Sequence, residues 1–190
     1  QVETPEFKAW FGESKAVDGE GKPLVVHHAF TRGETNAFKT PSYFAFDANL
    51  ADAYADAGKT GQFYLSLKDP LVLRTPDEVE AAWKKSGALE VEGSFYPTQQ
   101  NVLNKWAADQ GHDGIMVMPS AFEGEKGYSW AGGTFGEPQI VAFSPTQIKS
   151  ATGNSGAFSR TNPDIRLSPR QIETPEFKAW FGDSKVIDPE

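Results

Sequence analysis

One sequence feature constrains this chain more than any other: its first segment occurs twice. Residues 1–12 read QVETPEFKAWFG and residues 171–182 read QIETPEFKAWFG, and the match continues as ESKAVD against DSKVID. Solenoid repeats have periods of about 20–50 residues. A spacing of 170 residues is that of a whole domain. We therefore expect a tandem array of domains, with a duplicated docking helix as the alternative.

The stretch between the two copies predicts where the domain ends. It reads ATGNSGAFSRTNPDIRLSPRQ, is rich in Gly, Ser, Asn and Pro, and shows little periodicity, which is typical of a linker. We predict a domain at 1–152, a linker at 153–172 and the start of a second tandem copy at 173–190. The chain begins without Met, so we expect it to be a fragment of a longer product.

Composition narrows the class of protein. Hydrophobic residues make up 38% of the chain and aromatic residues 13%, which is typical of a folded globular domain. The net charge is −8 and no run of Lys or Arg occurs, which lowers the expectation that DNA or RNA is the main partner. The absence of Cys excludes disulfides and thiolate chemistry. No apolar run approaches the ~18 residues of a membrane helix, so we expect no membrane association.

Local patterns predict an α+β domain with a split, mainly antiparallel sheet and flanking helices. Thr4 followed by Pro5 and Glu6 is typical of a helix start. Further helices are predicted at 49–57, 76–85 and 97–109, and strands at 24–28, 40–46, 63–67, 71–73, 115–118 and 140–143, with 147–149 as an extension of the last. Because helices and strands alternate irregularly, an α+β class is favoured over parallel α/β folds.

Three residues in the first third of the chain suggest a binding site. His28 ends the apolar strand PLVVHH, Tyr43 lies in the second strand, and Tyr54 follows eleven residues later on the next helix. Two aromatic faces can sandwich a flat ring, and a cationic nicotinamide adds a cation–π attraction. Each residue also has a structural interpretation, as a satisfied histidine or as a core tyrosine.

These residues and their flanks resemble a known family. The chain has a strand that ends in His, then two Tyr, and finally a late strand with an acidic or amide residue. This order is similar to that of the His-Tyr-Glu class of ADP-ribosyltransferases, which includes diphtheria toxin and the poly(ADP-ribose) polymerases. The segments TPEFKAWFGESKAVD, PLVVHHAF and PQIVAFSPTQIKSATGN resemble, more narrowly, the transferase domains of polyvalent proteins of phages and mobile elements. The resemblance covers most of residues 1–167.

The resemblance implies a role for each matching residue, with NAD as co-substrate. His28 would hold the adenosine-side ribose, and the backbone of Ala29 would bind the carboxamide. Tyr43 and Tyr54 would clamp the nicotinamide. The catalytic position falls on Gln139, where family members carry a glutamate that holds the ribose 2′-hydroxyl and stabilises an oxocarbenium-like transition state.

The chain departs from the family pattern at two places. Ala29 and Phe30, which would line the NAD site, stand where the family has Gly-Thr, and Thr31 is a possible substitute for the missing hydroxyl. Gln139 replaces the glutamate and can keep its hydrogen bond without its charge. Glu137 is a candidate compensating acid. The change is open to three interpretations: a natural variant, an inactive copy or an engineered substitution.

These observations lead to a functional hypothesis with two alternatives. We expect a transferase that moves ADP-ribose from NAD to a host macromolecule, a protein rather than a nucleic acid, as a phage- or bacterium-encoded toxin or effector acting in a host cytoplasm. The alternatives are a non-catalytic nucleotide- or partner-binding domain and an NAD glycohydrolase. Tyr128 and Trp130, in a long Gly-rich loop, are candidate acceptor contacts. No metal site is expected, because the three histidines are not suitably spaced.

Overall fold

A seven-stranded sheet forms the centre of this computed structural model, which describes residues 1–30, 37–55, 59–88, 96–123, 137–154 and 158–165. The strands are β1 Val26–Ala29, β2 Ser42–Ala45, β3 Thr60–Leu65, β4 Leu71–Leu73, β5 Gly114–Val117, β6 Gln139–Ala142 and β7 Ile148–Ser150. The helices are α1 Pro5–Phe11, α2 Ala48–Ala53, α3 Pro76–Ser86 and α4 Tyr96–Asp109, with short 3-10 turns at Pro119–Phe122 and Pro145–Gln147.

The strand order differs from the chain order. Across the sheet it is β4-β5-β6-β2-β1-β3-β7. Only β4 and β5 run parallel; the other neighbouring strands are antiparallel. The α+β prediction with a mainly antiparallel sheet and flanking helices is therefore confirmed.

The pairing of β1 with β2 is much shorter than the other ladders. These strands pair only at His27 opposite Ala45, whereas β1 and β3 are paired at four positions. Beyond His27 the edge of β1 is therefore not closed by β2. On its other side, β2 pairs with β6, and Ala45 lies opposite Gln139 and Tyr43 opposite Val141.

Two hydrophobic layers cover the two faces of the sheet. One contains fully buried side chains from most of the strands, among them Val26, Phe44, Phe63, Leu65, Met116, Ile140 and Ile148. The other packs α3 and α4 against the opposite face through Val79, Trp83, Leu103 and Ala107. Burying each large apolar side chain contributes about 1.5–3 kcal/mol, so these layers fix which strand residues face which side.

Helix α1 forms as the sequence predicts. The side chain of Thr4 accepts a hydrogen bond from the Phe7 amide, Pro5 occupies the first turn, and Gly12 ends the helix at a φ of 51°. A positive φ is costly for residues with a Cβ, which explains glycine there. The helix buries three aromatic side chains, Phe7, Trp10 and Phe11, together with Phe158.

The predicted domain boundary at residue 152 lies inside the packed structure. Asn154, Phe158 and Ile165 are 7%, 5% and 3% exposed. Phe158 packs against α1, and Ile165 joins the core layer that contains Val26. The domain therefore extends at least to Ile165, although the Gly- and Asn-rich composition predicts a linker from 153. Residues 166–172 of that linker and the second copy at 173–190 lie outside the described residues.

Buried Lys149 anchors this last segment. Its side chain is fully buried, and its Nζ donates to the carbonyls of Asn162 and Asp164 at 2.6 and 2.7 Å. Burial lowers the pKa of Lys149 to about 8, against the opposing influence of the Asp164 charge. Lys149 on β7 thus ties the backbone of residues 162–164 to the sheet.

Within the described residues, no helix is long and apolar enough to cross a membrane.

His112 and Asp113, in the sequence GHDG, lie between α4 and β5. Asp113 accepts hydrogen bonds from the amides of Lys68 and Asp69, so it fixes the connection between β3 and β4.

Candidate active site

A cleft of about 470 Å³ opens where β1 and β2 part. This volume lies within the range of pockets that bind cofactor-sized ligands, roughly 300–1,000 Å³. Strands β1, β2 and β6 form its floor, α2 one wall and α4 the other. Its lining residues are His27, His28, Ala29, Tyr43, Phe44, Ala45, Leu50, Ala51, Tyr54, Gln100, Asn101, Glu137, Pro138 and Gln139.

The cleft brings together six of the seven residues that line the predicted NAD site or take part in catalysis there. These are His28, Ala29, Tyr43, Tyr54, Glu137 and Gln139. The seventh, Phe30, does not line the cleft. Its ring packs edge-on against His28 and Phe63, with centroid distances of 5.6 and 6.0 Å. Thr31, Tyr128 and Trp130 lie outside the described residues.

The ring of His28 packs against several phenylalanine rings. Its centroid lies 4.7 Å from that of Phe38, 5.3 Å from Phe44 and 6.3 Å from Phe63. Its Nδ1 lies 2.7 Å from the carbonyl oxygen of Tyr43. Because a carbonyl can only accept, Nδ1 carries the proton, and Nε2 of the neutral ring is then an acceptor.

The adjacent His27 faces the opposite side of β1, as strand alternation predicts. Cross-strand neighbours share a face, so His27, Ala45 and Gln139 form one row across three strands. His27 was not among the predicted site residues. The pairing register of β1, β2 and β6 places His27 in the cleft. The sequence gives the order of the strands but no signal for this register.

The backbone of Ala29 points into the gap between β1 and β2. Successive residues of a strand direct their N–H and C=O groups to alternate sides. The Phe30 amide donates to Lys59 on the β3 side at 2.9 Å. The peptide groups of Ala29 therefore point to the β2 side, where the β1–β2 ladder has already ended at His27.

Tyr43 is half-buried and fixed by a buried amide. Asn104 of α4, 5% exposed, donates from Nδ2 to the Tyr43 hydroxyl at 2.7 Å. Burial raises the pKa of Tyr43, and the hydrogen bond from Asn104 partly opposes that rise. Among the described residues, Asn104 Oδ1 is buried without a hydrogen-bond partner. The Tyr43 ring is thus held in one position at the base of the cleft.

Sequence reasoning missed the polar side of α4. Gln100 and Asn104 are spaced four residues apart and therefore lie on one helix face, where both are buried. Gln100 lines the cleft. A pair of amides at this spacing, beside the apolar Leu103 and Ala107, is the signal that could have found them.

Tyr54 stands at the mouth of the cleft. It caps the C-terminus of α2, which ends at Ala53 rather than at the predicted residue 57. Its side chain is 63% exposed, and its hydroxyl donates to Glu137 Oε2 at 2.9 Å. Burial, the hydrogen bond to Glu137 and the charge of Glu137 all raise the pKa of Tyr54, in that order.

Gln139 is the first residue of β6 and is half-buried between Ala45 and Val117 on the neighbouring strands. Glu137 precedes the strand, so strand alternation does not determine where its side chain lies relative to that of Gln139. Among the described residues that line the cleft, Glu137 is the single carboxylate. No group of three His, Asp or Glu side chains in the described ranges could hold a metal ion.

A helix-flanked, mainly antiparallel sheet with this cleft defines an ADP-ribosyltransferase-like domain. The chain belongs to the family described as ADP-Ribosyltransferase in polyvalent proteins, whose model matches residues 18–158. No significant match is found among the curated proteins or among the solved structures. The family assignment confirms the sequence resemblance.

Proposed function

We propose that this domain binds NAD in the cleft and transfers its ADP-ribose to a macromolecular acceptor. The observation that carries the proposal is the convergence of His28, Ala29, Tyr43, Tyr54 and Gln139, from three parts of the chain, on one cleft of suitable volume. The family assignment supports the reaction class.

The cleft offers a partner for each part of the nicotinamide riboside. The peptide groups of Ala29 would donate a hydrogen bond to the carboxamide and accept one from it, as they would with a neighbouring strand. The Tyr43 ring, held by Asn104, and the exposed Tyr54 ring at the mouth offer two aromatic faces. Nε2 of His28 would accept a hydrogen bond from a hydroxyl of the adenosine-side ribose.

The reaction breaks the bond between ribose C1′ and the nicotinamide nitrogen. The bonding electron pair leaves with nicotinamide, and the ribose becomes cationic until an acceptor atom attacks C1′ and loses its proton. Gln139 would hold the 2′-hydroxyl through its amide oxygen. Because an amide has no net charge, the negative charge that would face the developing cation from the described lining residues is that of Glu137. We therefore expect slow turnover.

The proposal extends to the acceptor and the setting. With a net charge of −8, a protein is a better acceptor than a nucleic acid. Membership of the polyvalent-protein family supports a phage or mobile element as the source. We propose that the target lies in a host cell. Water is the alternative acceptor, which would make the domain an NAD glycohydrolase.

Calorimetric titration with NAD, followed by incubation with NAD labelled in the adenylate, tests the proposal. We expect NAD binding, slow nicotinamide release and label on protein in a host lysate. Release without labelled protein would identify a glycohydrolase. Absence of NAD binding would refute the proposal.

Gln139 itself favours one further candidate, a non-catalytic domain that binds NAD or a related nucleotide. A cleft that keeps its aromatic and backbone partners but lacks the family carboxylate would bind without turnover. NAD binding with no nicotinamide release, and with no gain from Gln139→Glu, would identify this function.

A further inference from the structure

Residues 1–17 lie in a groove of the domain, which we name the α1 groove. Its walls are β3 with the residues that follow it, the turn at Pro145–Gln147 and the segment around Phe158. Phe7, Trp10 and Phe11 of the occupant are 1%, 2% and 7% exposed. The family match begins at residue 18, so the occupant precedes the part of the chain that the family model covers.

The groove recognises its occupant by specific hydrogen bonds as well as by burial. Trp10 Nε1 donates to the Thr146 carbonyl at 3.0 Å, and Ser66 Oγ donates to the Trp10 carbonyl at 2.9 Å. Ser14 Oγ donates to the Leu65 carbonyl at 2.8 Å and accepts from the Leu67 amide at 3.0 Å.

The same chain contains a second segment with these groups. Residues 171–188 match residues 1–18 at 14 of 18 positions. The aromatic residues recur as Phe177, Trp180 and Phe181, the hydroxyl as Ser184, and the helix-ending glycine as Gly182. The four differences are conservative: Val2 to Ile172, Glu13 to Asp183, Ala16 to Val186 and Val17 to Ile187.

Ile165 lies close to the first residue of the occupant. Gln1 Nε2 donates to the Asn154 carbonyl at 2.8 Å, and Asn154 Nδ2 donates to the Ile165 carbonyl at 3.1 Å. Asn154 thus connects Ile165 to Gln1, the first residue of the occupant, by hydrogen bonds. Gln171, the counterpart of Gln1, follows six positions later, and an extended chain spans about 3.3–3.6 Å per residue. The connection is long enough for the second segment to reach the groove.

We infer that residues 171–188 are an alternative occupant of the α1 groove and dock there within the same chain when residues 1–17 leave. Every side chain that the groove contacts through a hydrogen bond or a buried ring is present in the copy. Ala16 is fully buried, and Val186 would add volume at its position. The N-terminal segment is therefore the preferred occupant, and the copy takes its place when that segment leaves the groove.

A double-mutant cycle on the 190-residue chain tests this inference. Trp10→Ala, Trp180→Ala and the double variant are compared by urea unfolding and light scattering. If either segment can fill the groove, each single substitution is compensated. We expect the double variant to lower the urea midpoint by at least twice the sum of the two single shifts, with all variants monomeric. Lys8→Ala and Lys178→Ala, at an exposed helix position and its counterpart, are the matched controls and should leave the midpoint unchanged.

Three outcomes would overturn the inference. A double variant no less stable than Trp10→Ala alone would mean that residues 171–188 do not dock. A double variant as stable as the unmodified chain would mean that neither tryptophan contributes. Concentration-dependent dimers of Trp10→Ala would place the segment in the groove of a second chain and contradict docking within one chain.

Discussion

The hydroxyl of Tyr54 donates a 2.9 Å hydrogen bond to the carboxylate of Glu137, 83 residues away in the sequence. This bond joins the end of α2 to the residue pair that leads into β6. It places the only carboxylate among the described lining residues against one of the two tyrosines predicted to hold nicotinamide.

Glu137→Gln should lower the pKa of Tyr54. The hydrogen bond to the carboxylate and its negative charge both raise that pKa, and the substitution removes the charge while burial persists. Tyrosine-labelled NMR titration of the two proteins measures the shift, with Tyr54→Phe identifying the resonance. An unchanged Tyr54 titration would show that the pair does not form in solution.

Gln139→Glu should increase the rate of nicotinamide release. Restoring a preorganised electrostatic partner is worth about 10²–10³ in rate, because it acts on the charge that develops in the transition state. The release rate at saturating NAD measures the effect. Gln110→Glu, at an exposed position after α4, adds the same charge away from the cleft and should have no effect. Equal rates for the two variants would contradict the catalytic assignment of position 139.

His28→Phe should weaken NAD binding while leaving the domain folded. A phenyl ring keeps the packing against Phe38, Phe44 and Phe63 but removes both ring nitrogens. Loss of one ligand hydrogen bond, at about 1–1.5 kcal/mol, weakens the affinity by roughly fivefold to tenfold. Calorimetry measures the affinity, and a circular-dichroism melt checks the fold. Unchanged NAD affinity would assign His28 a structural role alone.

Tyr43→Phe should destabilise the domain by about 1–3 kcal/mol, because it leaves the buried Nδ2 of Asn104 without an acceptor. Adding Asn104→Leu should recover part of that loss, since both polar partners are then gone. NAD affinity should change little, because the aromatic face remains. Urea unfolding of Tyr43→Phe, Asn104→Leu and the double variant measures the coupling. Additive effects of the two substitutions would show that the bond contributes nothing.

The free energy of unfolding should rise with pH between about 8 and 10.5 because of Lys149. Its folded-state pKa is lowered to about 8 from 10.5, so the unfolded chain binds more protons across that window. The gain can reach about 2–3 kcal/mol. Urea unfolding from pH 7.5 to 10.5 should show a steeper rise for the unmodified chain than for Lys149→Met. Lys105→Met, at an exposed ion pair, should keep the unmodified slope. Identical slopes for all three proteins would show that Lys149 keeps an ordinary pKa when folded.

Much of the fold follows from local sequence. The Thr4-Pro5 start and Gly12 end of α1, the capping residues Thr75 and Gly87 of α3, and the apolar strands are all set by short-range chemistry. Strand positions agree to within a few residues. The prediction that residues 147–149 extend the last strand is wrong, because Ile148–Ser150 forms a separate strand that pairs with β3 at the far edge of the sheet. Helix α2 is shorter than predicted because good helix formers do not by themselves fix where a helix ends.

The features that sequence reasoning missed depend on distant partners. His27 joins the cleft because β2 pairs with β6 in a particular register. Asn104 and Lys149 look like solvated residues in the sequence, yet each is buried against a group that lies in another element. Residues around Phe158 have a linker-like composition and still pack on α1. Local composition cannot report such contacts, because their partners lie far away along the chain.

The position of β6 between β5 and β2 also bears on synthesis. Translation delivers β6 after β5, yet this strand joins the two halves of the sheet and carries Gln139. A nascent chain that has not yet exposed residues 139–142 outside the ribosome has β4 and β5 but nothing to connect them to β1, β2 and β3. The cleft therefore cannot assemble until most of the domain has emerged from the ribosome.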